Sequence, residues 1–269
     1  MAIHYERDDE HIVLITIDRP EARNSADMDH FKWLREAWER FDADADAWAA
    51  IITGVGDAFF TGADLKTYVP AITALGTRIR DEGLTEVDGY RLDDGTRAVL
   101  RGAKIWKPII AAVNGYCTAG GMEMLGGADI RVACPEAQFA VMEPKRGLFA
   151  GGGTTVRLPR QISFPYAMEF LLCADLVPAD RAYEMGLLNR VVPHAELLDV
   201  AYDYARRITA NAPLAVQATK RSVWEGLGMN LRDAYRNEAQ LSSAIFSTED
   251  AKEGPAAFAE KRPPRWQGR

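Results

Sequence analysis

The sequence predicts an α/β fold: a spiral of stacked ββα units with a helical tail. Three observations predict it. Short apolar runs of strand length recur up to residue 194, each stopped by turn residues and followed by a helix start. Two passages, 114–129 (NGYCTAGGMEMLGGAD) and 138–158 (QFAVMEPKRGLFAGGGTTVRL), share one grammar of strand, glycine-rich turn and helix, each with a glutamate among apolar residues. From Ala195 the pattern is helix alone. Stacked units bury their strands between layers, whereas the tail has too few elements to bury its own apolar faces. Residues 1–194 are therefore expected to form the core that holds the site. Residues 195–269 are expected to pack on that core and on a neighbouring subunit.

In chain order, residues 11–18 alternate, with Val13, Ile15 and Ile17 on one face, and read as a strand ended by Arg19-Pro20. Asp27 or Ser25 caps a helix whose Phe31, Leu34, Trp38 and Phe41 follow helical spacing. The acidic passage 42–46 is a solvated turn, and 48–53 is a second strand ended at Gly54. Residues 58–65 (AFFTGADL) form another turn after a strand, where Gly62 lets the backbone bend. Residues 66–107 are charge-rich and read as helical pieces broken at Pro70, Gly76, Gly83, Gly89 and Gly95, with a mobile section. Residues 109–113 are a buried strand stopped by Asn114-Gly115, and 130–133 are another. Residues 164–173 and 179–185 are helical, and 191–192 form an end strand before Pro193. The tail breaks at 211–213, 226–228 and 254–255.

Composition narrows the function. With 269 residues and 48% hydrophobic content the chain can bury a substantial core. A net charge of −7 excludes a general nucleic-acid or anionic-membrane surface, so an anionic ligand needs a local basic patch. Cys117, Cys134 and Cys173 lie in apolar contexts without metal-ligand spacing and read as small buried hydrophobes in a reducing compartment. His4, His11, His30 and His194 fall outside every motif, which leaves a histidine nucleophile or metal site without support. Residues 1–10 have neither a signal-peptide nor a transit-peptide composition, and no apolar run is long enough to span a bilayer. A soluble cytoplasmic protein is expected.

The chemistry concentrates at Glu123. Strand, glycine turn and helix start leave backbone N–H groups unpaired, the local makings of an anion site. A carboxylate in that first turn, among apolar residues, is costly unless paired or used. It reads either as a first-turn acid facing water or as a working group. Glu143, 20 residues further on in the same grammar, shifts the balance toward the second.

Six segments carry a resemblance: RPEARNS (19–25), AFFTGADL (58–65), NGYCTAGGMEM (114–124), FAVMEPKRGLFAGGG (139–153), AYEMGLLNRVV (182–192) and FAEKR (258–262). In order and spacing the chain resembles the enoyl-CoA hydratase/isomerase (crotonase) superfamily nearly end to end, and within it enoyl-CoA hydratase. The resemblance implies syn addition of water to a trans-2-enoyl-CoA, giving a 3-hydroxyacyl-CoA, in fatty-acid or related acyl-CoA degradation. It implies no prosthetic group, coenzyme A as part of the substrate, and a homotrimer or a hexamer made of two trimers. It places an oxyanion hole on the N–H groups of Ala63 and Gly120. It makes Glu123 the base for water and Glu143 the proton donor to the α-carbon, with the Gly151 N–H helping to hold water and carboxylate. For coenzyme A it points to Ala22, Arg23, Gly62, Asp64 and Lys66, and to Phe258 and Lys261 of a neighbouring subunit.

Other reactions of the same scaffold are isomerisation, dehydration of a specialised hydroxyacyl-CoA and thioester hydrolysis. Retention of both carboxylates favours hydration. An RNA-binding, non-catalytic scaffold is opposed by the acidic charge and the lack of a lysine-rich helix. Two departures from the family pattern bear on pocket shape. One glycine is lost in Ala119-Gly120-Gly121, and Glu143 is followed rather than preceded by proline. In the family, the region corresponding to 66–107 borders the acyl pocket and varies, so substrate choice is expected there.

Overall fold

A computed structural model describes residues 3–269; Met1 and Ala2, which open the passage read above for targeting signals, lie outside the described residues. Strand β1 (Ile3–Arg7) pairs antiparallel with β2 (Ile12–Ile17). β1 escaped the sequence reading because it is an edge strand whose last two residues face solvent, so its alternation is faint. Helix α1 (Met28–Ala43) begins where Asp27 accepts a hydrogen bond from the His30 N–H, and it buries Phe31, Leu34, Trp38 and Phe41.

Three ββα units follow. The first is β3 (Ala49–Gly54), β4 (Ala58–Phe60) and α2 (Tyr68–Glu82), followed by the short helix α3 (Asp94–Ala98). The second is β5 (Ile109–Val113), β6 (Tyr116–Thr118) and α4 (Gly120–Leu125). The third is β7 (Ile130–Ala133), β8 (Gln138–Ala140) and α5 (Thr154–Gln161). The chain continues through α6 (Phe164–Cys173), β9 (Val177–Pro178), α7 (Ala179–Glu184) and β10 (Arg190–Val191). It ends with α8 (Leu197–Thr209), α9 (Pro213–Gly226), α10 (Leu231–Phe246) and α11 (Glu249–Glu260).

Each unit gives its first strand to a six-stranded sheet, ordered β1-β2-β3-β5-β7-β10, and its second to a four-stranded sheet, ordered β4-β6-β8-β9. β2, β3, β5, β7 and β10 run parallel, with Ile51 opposite Ile110 and Ile110 opposite Ile130. Parallel strands covered on both faces read as continuous apolar runs, as β3 and β5 do. The turn residue Asn114 stitches consecutive units together. Its amide donates to the carbonyls of Gly56 and Ala58 at 2.9 and 3.1 Å, and its carbonyl accepts from the Gly54 N–H at 3.1 Å.

α8 covers the far face of the large sheet, where Leu197, Ala201 and Ala205 pack on Ile12, Ile51, Ile110 and Val132. The core therefore continues past residue 194, and the outlying layer starts at α9. There α10 buries none of its residues, while Val223, Leu227, Leu231, Tyr235 and Phe246 stand exposed.

Three expectations need correction. α2 runs unbroken through Pro70 and Gly76, because Pro70 is its third residue, where the missing N–H would have had no intrahelical partner. α11 likewise passes through Pro255. Cys173 is exposed, because it ends α6 on the surface.

Candidate active site

The site is made where the turn after β4 meets the start of α4. Gly121 comes so close to the end of β4 that an added Cβ would lie 2.0 Å from the Phe60 carbonyl oxygen. Gly62, at φ +86°, faces the Gly120 nitrogen, which an added Cβ would approach to 2.7 Å. The two turns thereby place Ala63 and Gly120 on one cavity, and neither N–H has an acceptor among the described residues. Ala119, where the expected glycine is missing, sits at φ +50° and ψ −116°. A non-glycine residue there carries local strain, on the order of 1–3 kcal/mol.

The same cavity, of about 390 Å³, is lined by both glutamates together with Thr118, Met142 and Gly152. Glu123 is only 9% exposed. Burial pushes its carboxyl from an ordinary value of 4.5 up to about 7, against a hydrogen bond from the Gly152 N–H. The Glu143 charge adds to the rise, and Arg157 and Arg101 oppose it. Burial also raises the Glu143 carboxyl, whose Oε2 is buried without a hydrogen-bond partner. An orphaned buried carboxyl oxygen at a cavity wall calls for a reason beyond the fold.

A groove of about 530 Å³ adjoins the cavity and shares Ala63, Leu65, Thr118 and Arg146 with it. Ala22, Arg23, Asp64 and Lys66 line this groove. Arg23 stands 5.0 Å over the Tyr116 ring. Asp64 has both oxygens engaged, with Arg19 at 3.2 Å and the Lys66 N–H at 3.1 Å, so it shapes the turn and leaves the cations facing the groove. Phe258 and Lys261 line neither cavity nor groove in this chain, and Phe258 is 87% exposed.

The family model for enoyl-CoA hydratase/isomerase matches residues 7–269. The chain belongs to the enoyl-CoA hydratase/isomerase family. It is 40% identical to an enoyl-CoA hydratase of Mycobacterium tuberculosis over 96% of this chain and 94% of that one. It is 37% identical to the (E)-benzylidenesuccinyl-CoA hydratase of Thauera aromatica over 96% of each chain. A crystal structure of an enoyl-CoA hydratase from Mycobacterium tuberculosis superposes with a TM-score of 0.85 at 39% identity, covering 100% of this chain and 99% of that one. The ββα spiral with its C-terminal helices is thus the fold of the crotonase superfamily.

Within this hydratase/isomerase fold, the glycine whose N–H reaches Glu123 is Gly152 rather than Gly151. The carbonyl of Gly151 accepts from Arg101 at 2.6 Å. Glycines 151 to 153 look alike in sequence, and only the path of the chain selects among them. Not singled out were Arg146, which stands between cavity and groove, and the apolar wall of Phe31, Tyr68, Leu92, Val99 and Leu148, of which Tyr68, Leu92 and Val99 fall in the passage 66–107 where substrate choice is expected. Phe31 reads in the sequence as an ordinary helix-face residue, and no local signal marks the others.

The raised Glu123 carboxyl has a consequence for stability. Its folded value lies above its unfolded one, so the folded state binds the extra proton between about 4.5 and 7. Stability is therefore full below the unfolded value and falls as pH rises through the folded one, by on the order of 3 kcal/mol for this group. Glutamine at 123 removes that loss. The melting temperature of Glu123→Gln relative to the native protein is expected to climb between pH 5 and pH 8. Thermal scans showing a constant difference would contradict it.

Proposed function

We propose that this protein hydrates trans-2-enoyl-CoA thioesters, adding water syn to give 3-hydroxyacyl-CoA in fatty-acid or related acyl-CoA degradation. The observation that carries the reading is the convergence, on one cavity, of two N–H groups without acceptors and two carboxyls raised by burial. The thioester oxygen lies between the Ala63 and Gly120 N–H groups and gathers enolate charge as water adds. Donors fixed in a dry site are worth a few kcal/mol each in the transition state. Glu123, poised near neutrality, takes a proton from water while the oxygen bonds to the β-carbon. Glu143, whose carboxyl burial raises, gives a proton to the α-carbon, which has gained the electron pair of the double bond. Proton exchange between the carboxyls and solvent restores the starting state. The chemistry requires no prosthetic group.

In this reading Arg23, Lys66 and Arg146 receive coenzyme A phosphates, while Ala22, Gly62 and Asp64 shape the turn beside them. The Gly152 N–H holds the Glu123 carboxyl that takes the proton of the attacking water. The acyl chain enters the wall of Phe31, Tyr68, Leu92 and Val99. Loss of the unsaturated-thioester absorbance of crotonyl-CoA tests the proposal. A folded protein that turns over neither crotonyl-CoA nor longer 2-enoyl thioesters refutes it.

The reading includes a trimer or a pair of trimers in the cytoplasm. The support is the exposed apolar side of α9 and α10, and Phe258 and Lys261 are then offered to a neighbour's groove. A stable 29.8 kDa monomer in light scattering at micromolar concentration would rule the assembly out.

A further inference from the structure

We propose that Arg157 is a positioning residue for this reaction: its guanidinium bridges the Glu123 backbone to the wall of the acyl cavity and thereby fixes where the Glu123 carboxyl stands. The inference rests on the hydratase reading of Glu123. Arg157 lies in the first turn of α5, with its stem against Gly126 and its guanidinium against Gly153, where an added Cβ would lie 3.3 Å from Cδ and 3.5 Å from Cζ. Nη1 donates to the carbonyl of Glu123 at 3.1 Å and to that of Val99 at 3.3 Å. Nη2 donates to the carbonyl of Leu100.

These three carbonyls belong to two separate passages. Val99 lines the acyl cavity. Leu100 is held at φ +63°, a conformation leucine rarely adopts, so its carbonyl needs an anchor to stay in place. On its far side the same passage is tied to α1 by the buried Arg35–Asp94 pair at 2.6 Å. An acyl group pressing on Val99 therefore acts on a rigid strut that ends at Glu123.

Charge points the same way. A partly buried guanidinium is ordinarily matched by a carboxylate. Arg157 is held by carbonyls alone, and among the described residues it forms no ion pair. Its positive charge is left to act on Glu123, which also faces Glu143 and Arg101. Losing the guanidinium should both loosen the carboxyl and raise its proton affinity.

The test uses Arg157→Gln and Arg157→Lys in the full chain. It has three readouts: kcat and KM on crotonyl-CoA, the pH dependence of kcat, and an infrared titration of the Glu123 carboxyl band, assigned by difference against Glu123→Gln. Arg157→Gln is expected to lose roughly tenfold or more in kcat, as small misplacements of reacting groups do, with KM changed far less. Its acid limb and its Glu123 band are expected to titrate at higher pH. Arg157→Lys is expected to restore both titrations but not kcat, because one ammonium cannot span three carbonyls. Native kcat in Arg157→Lys would overturn the bridge, and this variant decides the question if Arg157→Gln does not fold. A Glu123 band unmoved in Arg157→Gln would overturn the electrostatic half. A native protein without hydratase turnover would sink the functional reading instead, and the band titration would still report on Arg157.

Discussion

Replacing either Glu123 or Glu143 by glutamine is expected to lower kcat for hydration of crotonyl-CoA by at least about a hundredfold, since general acid–base catalysis contributes roughly 10²–10⁴ in rate. Glutamine keeps the shape of each side chain but cannot exchange the proton. Neither change should unfold the protein. Both residues line an existing cavity, and a neutral amide at 123 relieves the charge that burial opposes. The double variant is expected to lose far less than the product of the single losses, because the two groups serve one transition state. Steady-state kinetics on the three variants, with melting curves alongside, decides the matter. Single variants that hydrate at the native rate would remove the glutamates from the mechanism. Isomerisation lost with hydration intact in Glu123→Gln would point to isomerisation as the main reaction.

The second large effect is expected at Gly152. An added Cβ would lie 2.0 Å from Glu123 Oε2 and 2.3 Å from its Cδ. The obstacle is the end of a side chain, so the fold accommodates Gly152→Ala by moving the carboxylate. That shift breaks the hydrogen bond from the residue 152 N–H and, in the proposed mechanism, takes the base away from the water it deprotonates. A loss on the order of a hundredfold in kcat is expected, from misplacement alone. Gly121→Ala makes the contrast, because its added carbon meets the backbone carbonyl of Phe60 at 2.0 Å and nothing there can give way cheaply. Gly152→Ala should therefore stay folded and lose activity, whereas Gly121→Ala should lose stability first. Circular dichroism, melting curves and kinetics on the pair separate the two outcomes. Full activity in Gly152→Ala would show that the carboxylate position is not critical.

What the sequence made legible depended on how local each determinant was. The alternation of Val13, Ile15 and Ile17, the cap at Asp27 and the short strand pattern of 130–133 act within a few residues, and the corresponding elements stand where they were expected. Proline and glycine misled where position in the helix outweighs residue type, as at Pro70 and Gly76 in α2. The change of pattern at Ala195 is real, but α8 still belongs to the core because its small residues Ala201 and Ala205 fit against a sheet laid down by distant segments. Within the site, the glutamates announced themselves as charges in apolar surroundings. The choice of Gly152 over Gly151 and the carbonyl bridge of Arg157 depend on contacts between residues 29 to 58 positions apart, which no window of sequence contains.

The most direct measurement of the central claim is hydration of crotonyl-CoA in heavy water, with the product resolved by nuclear magnetic resonance. Under the proposed mechanism, the two carboxyls that line a single cavity should deliver oxygen to the β-carbon and deuterium to the α-carbon from the same face. The expected product is 3-hydroxybutyryl-CoA carrying one deuterium in the syn position. Anti addition, or deuterium at both α positions from the outset, would contradict it.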